Sequence, residues 1–554
     1  TYVLTRSENT GYACFESDSS IVEGLANVFP VFFFLVAALV CMTTMNRMVE
    51  EQRTQIGVLK ALGYGEATIM GKYLVYSGSA ALTGCIAGYL LGIHLFPFVI
   101  WEAYGMMYEM GGIVFVSDGA TALLCLACAL FCSMGTTWFS CRRELKEVAA
   151  DLMRPRTPRA GKRVFLEWVP FIWNRLKFLH KVSVRNIIRY KRRFLMMVIG
   201  ISGCTALLVT GFGVRDSVTD IAEQQFTQIQ TYQIGVTLKN GVRDAEDASL
   251  DAVREVLAPY GGTCIVSMES AMDMETADGV KAVNLIVVQA PEQLGGYIDL
   301  HTSKGEAIAY PQDGEVVICE KLSERYDIGI GDRISLCDEE RQEISAVVSG
   351  ICENYIYNYV YLNAGTYEQA LGALSYKNLY VNLAEDADVH AAGAALMKAD
   401  NVTAVSVNAD MLTRFSSMMG SMDYIVFVII ACAAALAFIV LYNLNNINIT
   451  ERIREIATIK VLGFYRNETA SYVFRENTVL TAIGCAAGLL LGKALHLYVM
   501  HKVDIDLMSF DIRIRAVSYL LSVLLTFVFT WVVNRLMSVK LDTINMAESL
   551  KSVD

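Results

Sequence analysis

Residues that carry enzyme chemistry are scarce in this sequence. Only 6 of its 554 residues are histidine, and none lies in a zinc-protease pattern such as H-E-x-x-H. The serine-nucleophile pattern G-x-S-x-G and the phosphate-binding loop G-x-x-x-x-G-K-[ST] do not occur. The sequence therefore predicts no catalytic residue, no metal ligand and no cofactor of its own, and it excludes ATP hydrolysis through a phosphate loop in this chain.

Charge and proline are also scarce. Charged residues make up 19% of the chain and proline only 8 positions, whereas 54% is hydrophobic and the mean hydropathy is +0.39. This composition is typical of a membrane protein. The 40 glycines fit the same class, because many lie inside apolar runs, where membrane helices tolerate them.

The cysteines of the one large polar region show no paired metal-ligand spacing. Most of the 14 cysteines lie in apolar runs, where a thiol behaves as a small hydrophobe. Four lie in one large polar region and leave the question of a disulfide open: Cys264, Cys319, Cys337 and Cys352.

Seven apolar segments approach or exceed the roughly 20 residues that a helix needs to cross a bilayer. They are residues 26–45, 73–101, 120–138, 194–213, 424–444, 478–500 and 517–533. We therefore predict an α-helical polytopic membrane protein with an extracytoplasmic α+β domain.

The chain contains an internal repeat with an offset of 400 residues. The sequence EQRTQIGVLKALGY of residues 51–64 returns as ERIREIATIKVLGF in residues 451–464. Identical pairs include Glu51 and Glu451, Ile56 and Ile456, Lys60 and Lys460, and Gly63 and Gly463. A short charged amphipathic helix between two spans is therefore duplicated together with its spans.

Glycine recurs at four-residue spacing in the second and sixth segments. Small residues at this spacing let helix backbones approach closely in lipid, so we predict helix packing in both copies. The residues concerned are Gly84, Gly88, Gly92, Gly484, Gly488 and Gly492.

The distribution of Lys and Arg predicts the orientation. Residues 140–193 contain 16 basic residues, whereas residues 102–118 contain none. Beside a span, such a basic run indicates the cytoplasmic side rather than nucleic-acid binding. Both repeat helices and the C-terminus are then cytoplasmic, and residues 215–420, with 32 acidic and 13 basic residues, lie outside as a large loop.

The outside region has the pattern of an α+β domain. Runs of β-branched and aromatic residues predict strands at 232–238, 281–288, 315–319, 333–336, 343–348, 357–362, 378–383 and 402–407. Helices are predicted at 245–257, 364–374 and 389–398, and a tight turn at 329–332. Unbroken helical pattern in residues 214–231 and 410–423 predicts that the spans continue outward as stalks.

Each repeat helix has an apolar face and a charged face, which fits either a helix lying on lipid headgroups or one docked to a partner. Shared Glu, Lys and Gly at matched positions favour docking, because lipid binding needs amphipathicity alone. The candidate docking residues are Glu51, Ile56, Lys60, Gly63, Glu451, Arg452, Glu455, Ile456, Lys460 and Gly463. For Arg475 and Glu476, placement at the membrane boundary is favoured over a proton path.

The pattern Glu-x3-Glu-Ile-x3-Lys-x-Leu-Gly after a span resembles the coupling helix of FtsX-like permeases, the membrane subunits of MacB-type (type VII) ABC transporters. Residues 181–186 and 545–552 resemble long two-repeat bacterial members. The first copy departs from the pattern at Gln55, where the second has Glu455, so its docking is expected to be weaker.

The resemblance implies a permease subunit of the bacterial plasma membrane whose partner is an ABC ATPase, a homodimer that binds ATP and Mg²⁺. It also implies extrusion of a lipoprotein, peptide or drug, and an extracytoplasmic peptide or protein partner besides the lipid bilayer. Two alternatives remain at this point: a regulator of cell-wall hydrolases or sensor of antimicrobial peptides without transport, and an ion-driven transporter. A nucleic-acid partner is not expected.

The expected organisation follows from the repeat. Seven visible spans in a duplicated unit of four imply one more span upstream and an N-terminally truncated chain. The predicted parts are residues 1–25, tail of a first ectodomain and its stalk; 26–139, first three-helix unit with coupling helix 50–64; 140–193, basic cytoplasmic linker with an interfacial helix at 165–178; 194–214, transmembrane helix; 215–420, extracytoplasmic domain; 421–536, second three-helix unit with coupling helix 450–464; and 537–554, cytoplasmic tail.

Overall fold

The computed structural model describes residues 10–105, 111–154, 191–276, 279–338, 340–502 and 508–542. The chain divides into two compact units, one centred on Ser217–Met422 and one comprising Ile21–Asp216, Asp423–Val503 and Ile512–Asp554. The predicted interfacial helix at 165–178 and the segments 181–186 and 545–552 lie outside the described residues.

The regular elements in the described part of the first repeat are all helices. The long helix α1 passes directly into a short helix α2, and a third short helix, α5, follows the last span. The bounds are α1 Thr10–Glu51, α2 Arg53–Ala61, α3 Glu66–Gly105, α4 Gly119–Leu145 and α5 Ala149–Met153, followed by α6 Lys191–Glu223.

A nine-stranded sheet forms the core of the unit centred on Ser217–Met422. Its strands are β1 Ile234–Val242, β2 Thr263–Thr276, β3 Gly279–Val288, β4 Glu315–Cys319, β5 Arg333–Cys337, β6 Glu343–Cys352, β7 Tyr359–Leu362, β8 Tyr376–Asn382 and β9 Val402–Val407. Four helices accompany them: α7 Asp251–Leu257, α8 Glu320–Tyr326, α9 Ala364–Leu371 and α10 Val389–Leu396.

The strand order is β3-β7-β4-β6-β5-β2-β8-β1-β9, and β2 also pairs with β3. The second half of β2 pairs with β3 and β5 and so closes a ring of six paired strands. Its first half pairs with β8, which continues the sheet through β1 to β9. Only the pairs β3–β7 and β4–β6 are parallel among the described strands. The arrangement confirms the α+β domain.

Strand β2 is the longest strand described and was not predicted. Three of its six buried positions are methionines, Met268, Met272 and Met274, each followed by an exposed acidic residue, Glu269, Asp273 or Glu275. The period of two is present, but these residue types have low strand propensity. The predicted helix at 245–257 was too long, since α7 begins only at Asp251, after a 3₁₀ turn capped by Asp247.

The cysteines of this domain carry free thiols. Cys319 and Cys352 are register partners on the neighbouring strands β4 and β6, and both side chains are fully buried. Burial raises the pKa of both thiols, so both stay protonated at neutral pH.

The second repeat reproduces the first. Its helices are α11 Asn408–Glu451, α12 Ile453–Val461, α13 Arg466–Lys502 and α14 Ala516–Asp542. Asparagines connect three of them: Asn448 donates to Asn477 at 2.6 Å, and Asn445 donates to the partly buried Asn534 at 3.2 Å. Helices α4 and α14 both continue past residues 139 and 536, where we predicted the units to end.

Among the described residues, seven helices are long and apolar enough to cross a membrane, which confirms the predicted spans. They are Val22–Glu51, Glu66–Gly105, Gly119–Leu145, Phe194–Ile229, Asp423–Thr450, Glu468–Lys502 and Ala516–Leu541. The predicted helical stalks are also present, since α6 runs into a π-helix, Gln224–Ile229, and α11 begins at Asn408.

Candidate functional site

The two repeat helices have the same backbone geometry. Each is separated from the preceding span by one residue outside the helical region, Gln52 (φ −93°, ψ 12°) or Arg452 (φ −108°, ψ 15°). The helices therefore begin at Arg53 and Ile453, later than the predicted 50 and 450. Glu51 and Glu451 consequently belong to the ends of the spanning helices α1 and α11.

The repeated glycine ends each short helix. Gly63 has φ +90° and Gly463 has φ +87°, a left-handed conformation that costs other L-residues about 1–2 kcal/mol. The following amides then turn back onto the helix: Tyr64 N donates to Leu59 O, and Phe464 N donates to Ile459 O. The identity of glycine in both copies thus follows from this turn.

The repeated lysine binds the end of the third span of its own unit. Lys460 Nζ donates to the carbonyl oxygen of Leu541 at 2.5 Å, at the C-terminus of α14. Lys60 Nζ donates to the carbonyl oxygens of Leu145 and Glu147, at and just past the end of α4. The last carbonyls of a helix lack helical donors and carry partial negative charge, so an ammonium group stabilises them.

The repeated isoleucine is a core residue. Ile56 is 1% exposed and Ile456 is 0% exposed. Ile56 lies in a cluster with Met45, Tyr73, Leu145 and Leu152, so α2 packs on the ends of the spans. A Cβ at Gly57 would lie 2.9 Å from Met153 Cγ, which shows how closely α5 covers this face.

The residue at each helix junction is tied to the next span, by different chemistry in the two copies. Gln52 Oε1 accepts from Tyr73 Oη at 2.9 Å and from Lys72 Nζ at 3.1 Å, both on α3. Arg452 donates to Glu476 on α13 at 2.7 Å and to Glu455 on α12 at 2.9 Å.

The Arg452–Glu476 ion pair is buried. The two side chains are 4% and 2% exposed, and the guanidinium also lies over the ring of Tyr472. The carboxylate of Glu476 is therefore enclosed by the protein and paired with Arg452. A buried pair of this kind is destabilised strongly when one partner is removed.

The C-terminal end of each repeat helix is apolar and exposed. Leu62 and Leu462 are 70% and 71% exposed, and the aromatic residues that follow the glycine turn are exposed as well. We call these two surfaces the tips; they consist of Val58, Leu62 and Tyr64 in the first copy and Val461, Leu462, Phe464 and Tyr465 in the second.

Among the candidate docking residues, Ile56, Lys60, Arg452, Ile456 and Lys460 make contacts inside their own unit. Glu51 pairs with Arg47 on its own helix. The identity of Ile56 with Ile456 and of Lys60 with Lys460 is thus explained by contacts inside each unit, and the exposed tip residues were not among the candidates. The repeated Leu62/Leu462 and the Tyr64/Phe464 pair were the signal for them.

The two glycine triplets differ in surroundings. Cβ atoms at Gly484, Gly488 and Gly492 would lie 2.6–2.7 Å from Ile201, Thr205 and Val209 of α6. This is the close helix packing that the spacing predicts. No such neighbour of Gly84, Gly88 or Gly92 exists among the described residues; Gly92 meets only Phe96 of its own helix.

The chain contains two matched three-helix units, each with a short anchored helix, and a sheet domain that lies between them in the sequence. These features define a duplicated membrane subunit. The FtsX-like permease C-terminal family matches residues 27–147 and 427–545. The MacB-like periplasmic core domain family matches residues 194–399. The chain belongs to the FtsX-like permeases of MacB type, and its sheet domain is extracytoplasmic.

Individual relatives match over shorter lengths. An uncharacterized ABC transporter permease of Methanocaldococcus jannaschii is 37% identical over 95 residues, which are 16% of this chain and 24% of that protein. The chain thus spans about a quarter of this relative. The extracellular domain of the noncanonic ABC-type transporter YknZ from Gram-positive bacteria matches 31% of this chain and 98% of that domain, with 12% identity and a TM-score of 0.22.

Proposed function

We propose that this ABC transporter permease subunit couples ATP hydrolysis by a separate ATPase to motion of its extracytoplasmic domain. The observation that carries the proposal is the pair of exposed apolar tips, each held by buried anchors on its inner side. An exposed apolar surface beside rigid anchors suits a helix that docks in a groove of a partner.

Force applied at a tip has a direct route into the spans. Ile56 and Ile456 are buried, the two lysines bind the C-terminal ends of α4 and α14, and the junction residues bind α3 and α13. Since each short helix is held at both ends and along its inner face, movement of the tip must move these helix ends. The long helices α6 and α11 continue past their spans and could carry the movement outward.

The partner in this proposal is a homodimer of ABC ATPase subunits. Its two equivalent grooves would receive the two tips of one chain, and ATP and Mg²⁺ would bind there, since this sequence has no phosphate loop. Both short helices and the C-terminus are then cytoplasmic, in a bacterial plasma membrane, as the 16 basic residues of 140–193 indicate.

The coupled process is proposed to be export or extrusion of a lipoprotein, peptide or drug. Transport by the reconstituted permease–ATPase complex in vesicles separates this process from purely regulatory action on an envelope enzyme. ATP-dependent accumulation of the substrate is expected, and ATPase activity without any accumulation would favour the regulatory alternative.

The docking step is tested by charge at the tips. We expect Leu462→Asp combined with Phe464→Asp to abolish co-purification of the cognate ATPase, because both side chains would leave an apolar groove for water. The matched control is Ile330→Asp, at a 68% exposed apolar residue of the extracytoplasmic domain, which is expected to leave ATPase binding unchanged. Normal ATPase binding and stimulation in the Leu462/Phe464 double variant would refute the proposal.

A further inference from the structure

A groove of about 330 Å³ lies at one end of the extracytoplasmic domain. It lies where the π-helix Gln224–Ile229 turns into β1 and where α11 begins. Its lining includes Phe226, Tyr232, Gln233, Val389, Asn408, Ala409 and Leu412. The volume is near the lower end of the range for ligand pockets, about 300–1,000 Å³, so it suits one large side chain and its neighbours.

Aromatic side chains make the walls of the groove rigid. Phe226 packs on Phe415 with ring centroids 5.2 Å apart, and Tyr232 stacks on Tyr380 at 4.6 Å. Burial, with a contribution from Glu269, raises the pKa of the Tyr232 phenol, so this wall stays uncharged at physiological pH. An apolar guest therefore meets a preformed surface.

The backbone around the groove is held by two amide side chains. Asn408 Nδ2 donates to the carbonyl oxygens of Phe226 and Gln230, at 2.9 and 2.7 Å, and so closes the wide turn of the π-helix. Gln233 Oε1 accepts from Leu383 N at 2.9 Å.

Each of these two amides has a second polar group. Within the described structure, Asn408 Oδ1 and Gln233 Nε2 take part in no hydrogen bond with another residue. Their residues both line the groove, so one acceptor and one donor are available there. That pair of groups matches the N–H and C=O of a peptide backbone.

Two acidic residues, which we call the rim, adjoin lining residues in the sequence. Asp388 directly precedes Val389 and caps α10 by accepting from His390 N and Ala391 N. Asp410 directly follows Ala409, and His390 Nδ1 lies 3.8 Å from Asp410 Oδ2. Residues 385–410 contain five acidic residues and one lysine. A cationic group next to an apolar side chain would therefore be attracted to the rim while the side chain enters the groove.

We propose that this groove binds an apolar side chain of a basic peptide on the outer side of the membrane. The side chain contacts Phe226, Tyr232 and Leu412, the neighbouring backbone pairs with Gln233 and Asn408, and a flanking Lys or Arg faces Asp388 and Asp410. This deepens the proposed export function by giving its substrate a class and an entry site. Binding itself requires no ATPase, so its test is independent of docking at the tips.

The test uses the full chain purified in neutral detergent and a labelled 12-residue peptide of Lys and Leu with one Trp, with fluorescence anisotropy as the readout. Ala409→Trp places a ring in the groove at an exposed position and is expected to weaken binding at least about tenfold. Asp410→Asn is expected to weaken it about two- to fourfold. The matched controls Ala394→Trp and Asp400→Asn, at exposed positions outside the lining, are expected to leave binding unchanged.

The chemistry of the peptide is tested in parallel. Replacing its Lys by Glu, or its Leu and Trp by Ser, is expected to abolish binding to the unaltered chain. The proposal is overturned if Ala409→Trp binds as tightly as Ala394→Trp, or if the Glu peptide binds as well as the Lys peptide. Tryptophan amide binding as tightly as the peptide would also overturn it, because a small cationic molecule would then suffice.

Discussion

Lys460 Nζ lies 2.5 Å from the carbonyl oxygen of Leu541. The equivalent Lys60 binds the carbonyl oxygen of Leu145, so two lysines separated by 400 residues cap the last turns of two spans. The most informative identity of the repeat is therefore an internal bond. It fixes the position of a short helix relative to the C-terminal end of a span.

Removing the Lys460 ammonium group should weaken the coupling of ATPase activity to the spans without preventing the ATPase from binding. We expect Lys460→Met to keep the tip apolar and exposed but to lower ATPase stimulation, because α12 loses its attachment to α14. A charged hydrogen bond of this kind contributes about 1.5–3 kcal/mol, so a lower melting temperature is also expected. Stimulated ATPase activity and thermal unfolding of the purified complex measure both effects.

Lys398→Met serves as the matched control, since Lys398 is an exposed lysine of the extracytoplasmic domain. Lys460→Arg should restore part of the coupling by donating to the same carbonyl. Full coupling in Lys460→Met would mean that the lysine contributes only to stability.

Substitutions of Arg452 and Glu476 should have non-additive effects on the free energy of unfolding. Removing Arg452 takes the guanidinium away from a buried carboxylate, a loss of about 3–5 kcal/mol, whereas removing Glu476 leaves Arg452 paired with Glu455, so its loss should be smaller. We expect Arg452→Gln and Glu476→Gln each to lower the yield and melting temperature of the permease. The double variant should recover much of that loss, because no single charge remains buried and the first copy already has glutamine at the equivalent Gln52.

A double-mutant cycle from unfolding measurements gives the coupling free energy of this pair. A coupling free energy near zero would contradict the buried placement of Glu476. The pair Arg215–Asp423 provides a control cycle, since its side chains are 49% and 34% exposed and its coupling should be about 0–1 kcal/mol.

The two glycine triplets allow a direct comparison within one chain. A Cβ at Gly488 would lie 2.6 Å from Thr205 Cβ and 2.9 Å from the backbone oxygen of Ser202, whereas a Cβ at Gly88 meets no atom within 4 Å among the described residues. We expect Gly488→Ala to destabilise the permease by about 1–3 kcal/mol through overpacking and Gly88→Ala to have little effect.

Thermal unfolding of the two variants in the same detergent decides the comparison. Equal stability of Gly488→Ala and the unaltered chain would show that α6 and α13 can separate without loss. A strong effect of Gly88→Ala would reveal a neighbour of the first triplet outside the described residues.

The sequence predicted the elements whose residue types agree with their surroundings. All seven spans were found because a bilayer requires a long apolar run, and strands such as Glu315–Cys319 were found because β-branched residues fill them. Strand β2 was missed because methionine and acidic residues alternate there. In that case the periodicity was informative and the residue preference misled.

The sequence located the two repeat helices but did not show which of their residues are buried and which are exposed. The repeat showed that Ile456, Lys460 and Gly463 are shared by both copies. In the structure Ile456 is buried, Lys460 bonds to the end of a span, and Gly463 forms a left-handed turn. Which face stays open depends on where α13 and α14 pack, and that is a tertiary property. The burial of Glu476 likewise depends on Arg452, 24 positions away in the chain.

The glycine turn gives the sharpest test of tip geometry. Gly463→Ala places a Cβ on a residue with φ +87°, at an expected loss of about 1 kcal/mol, while Gly463→Pro cannot adopt this φ and also loses the amide that donates to Lys460 O. We expect alanine to weaken ATPase docking moderately and proline to abolish it, because Phe464 and Tyr465 would point elsewhere.

Gly65→Ala is the control, since a Cβ at Gly65 meets no atom within 4 Å and the residue has no positive φ. Charge reversal at Glu455 makes a useful comparison, because Glu455 contacts Arg452 and stands outside the tip. Docking strength is measured by co-purification of the cognate ATPase with each full-length variant. If Gly463→Pro retained the ATPase as well as Gly65→Ala, the tips would not be the docking surface, and the apolar residues after the turn would instead face lipid.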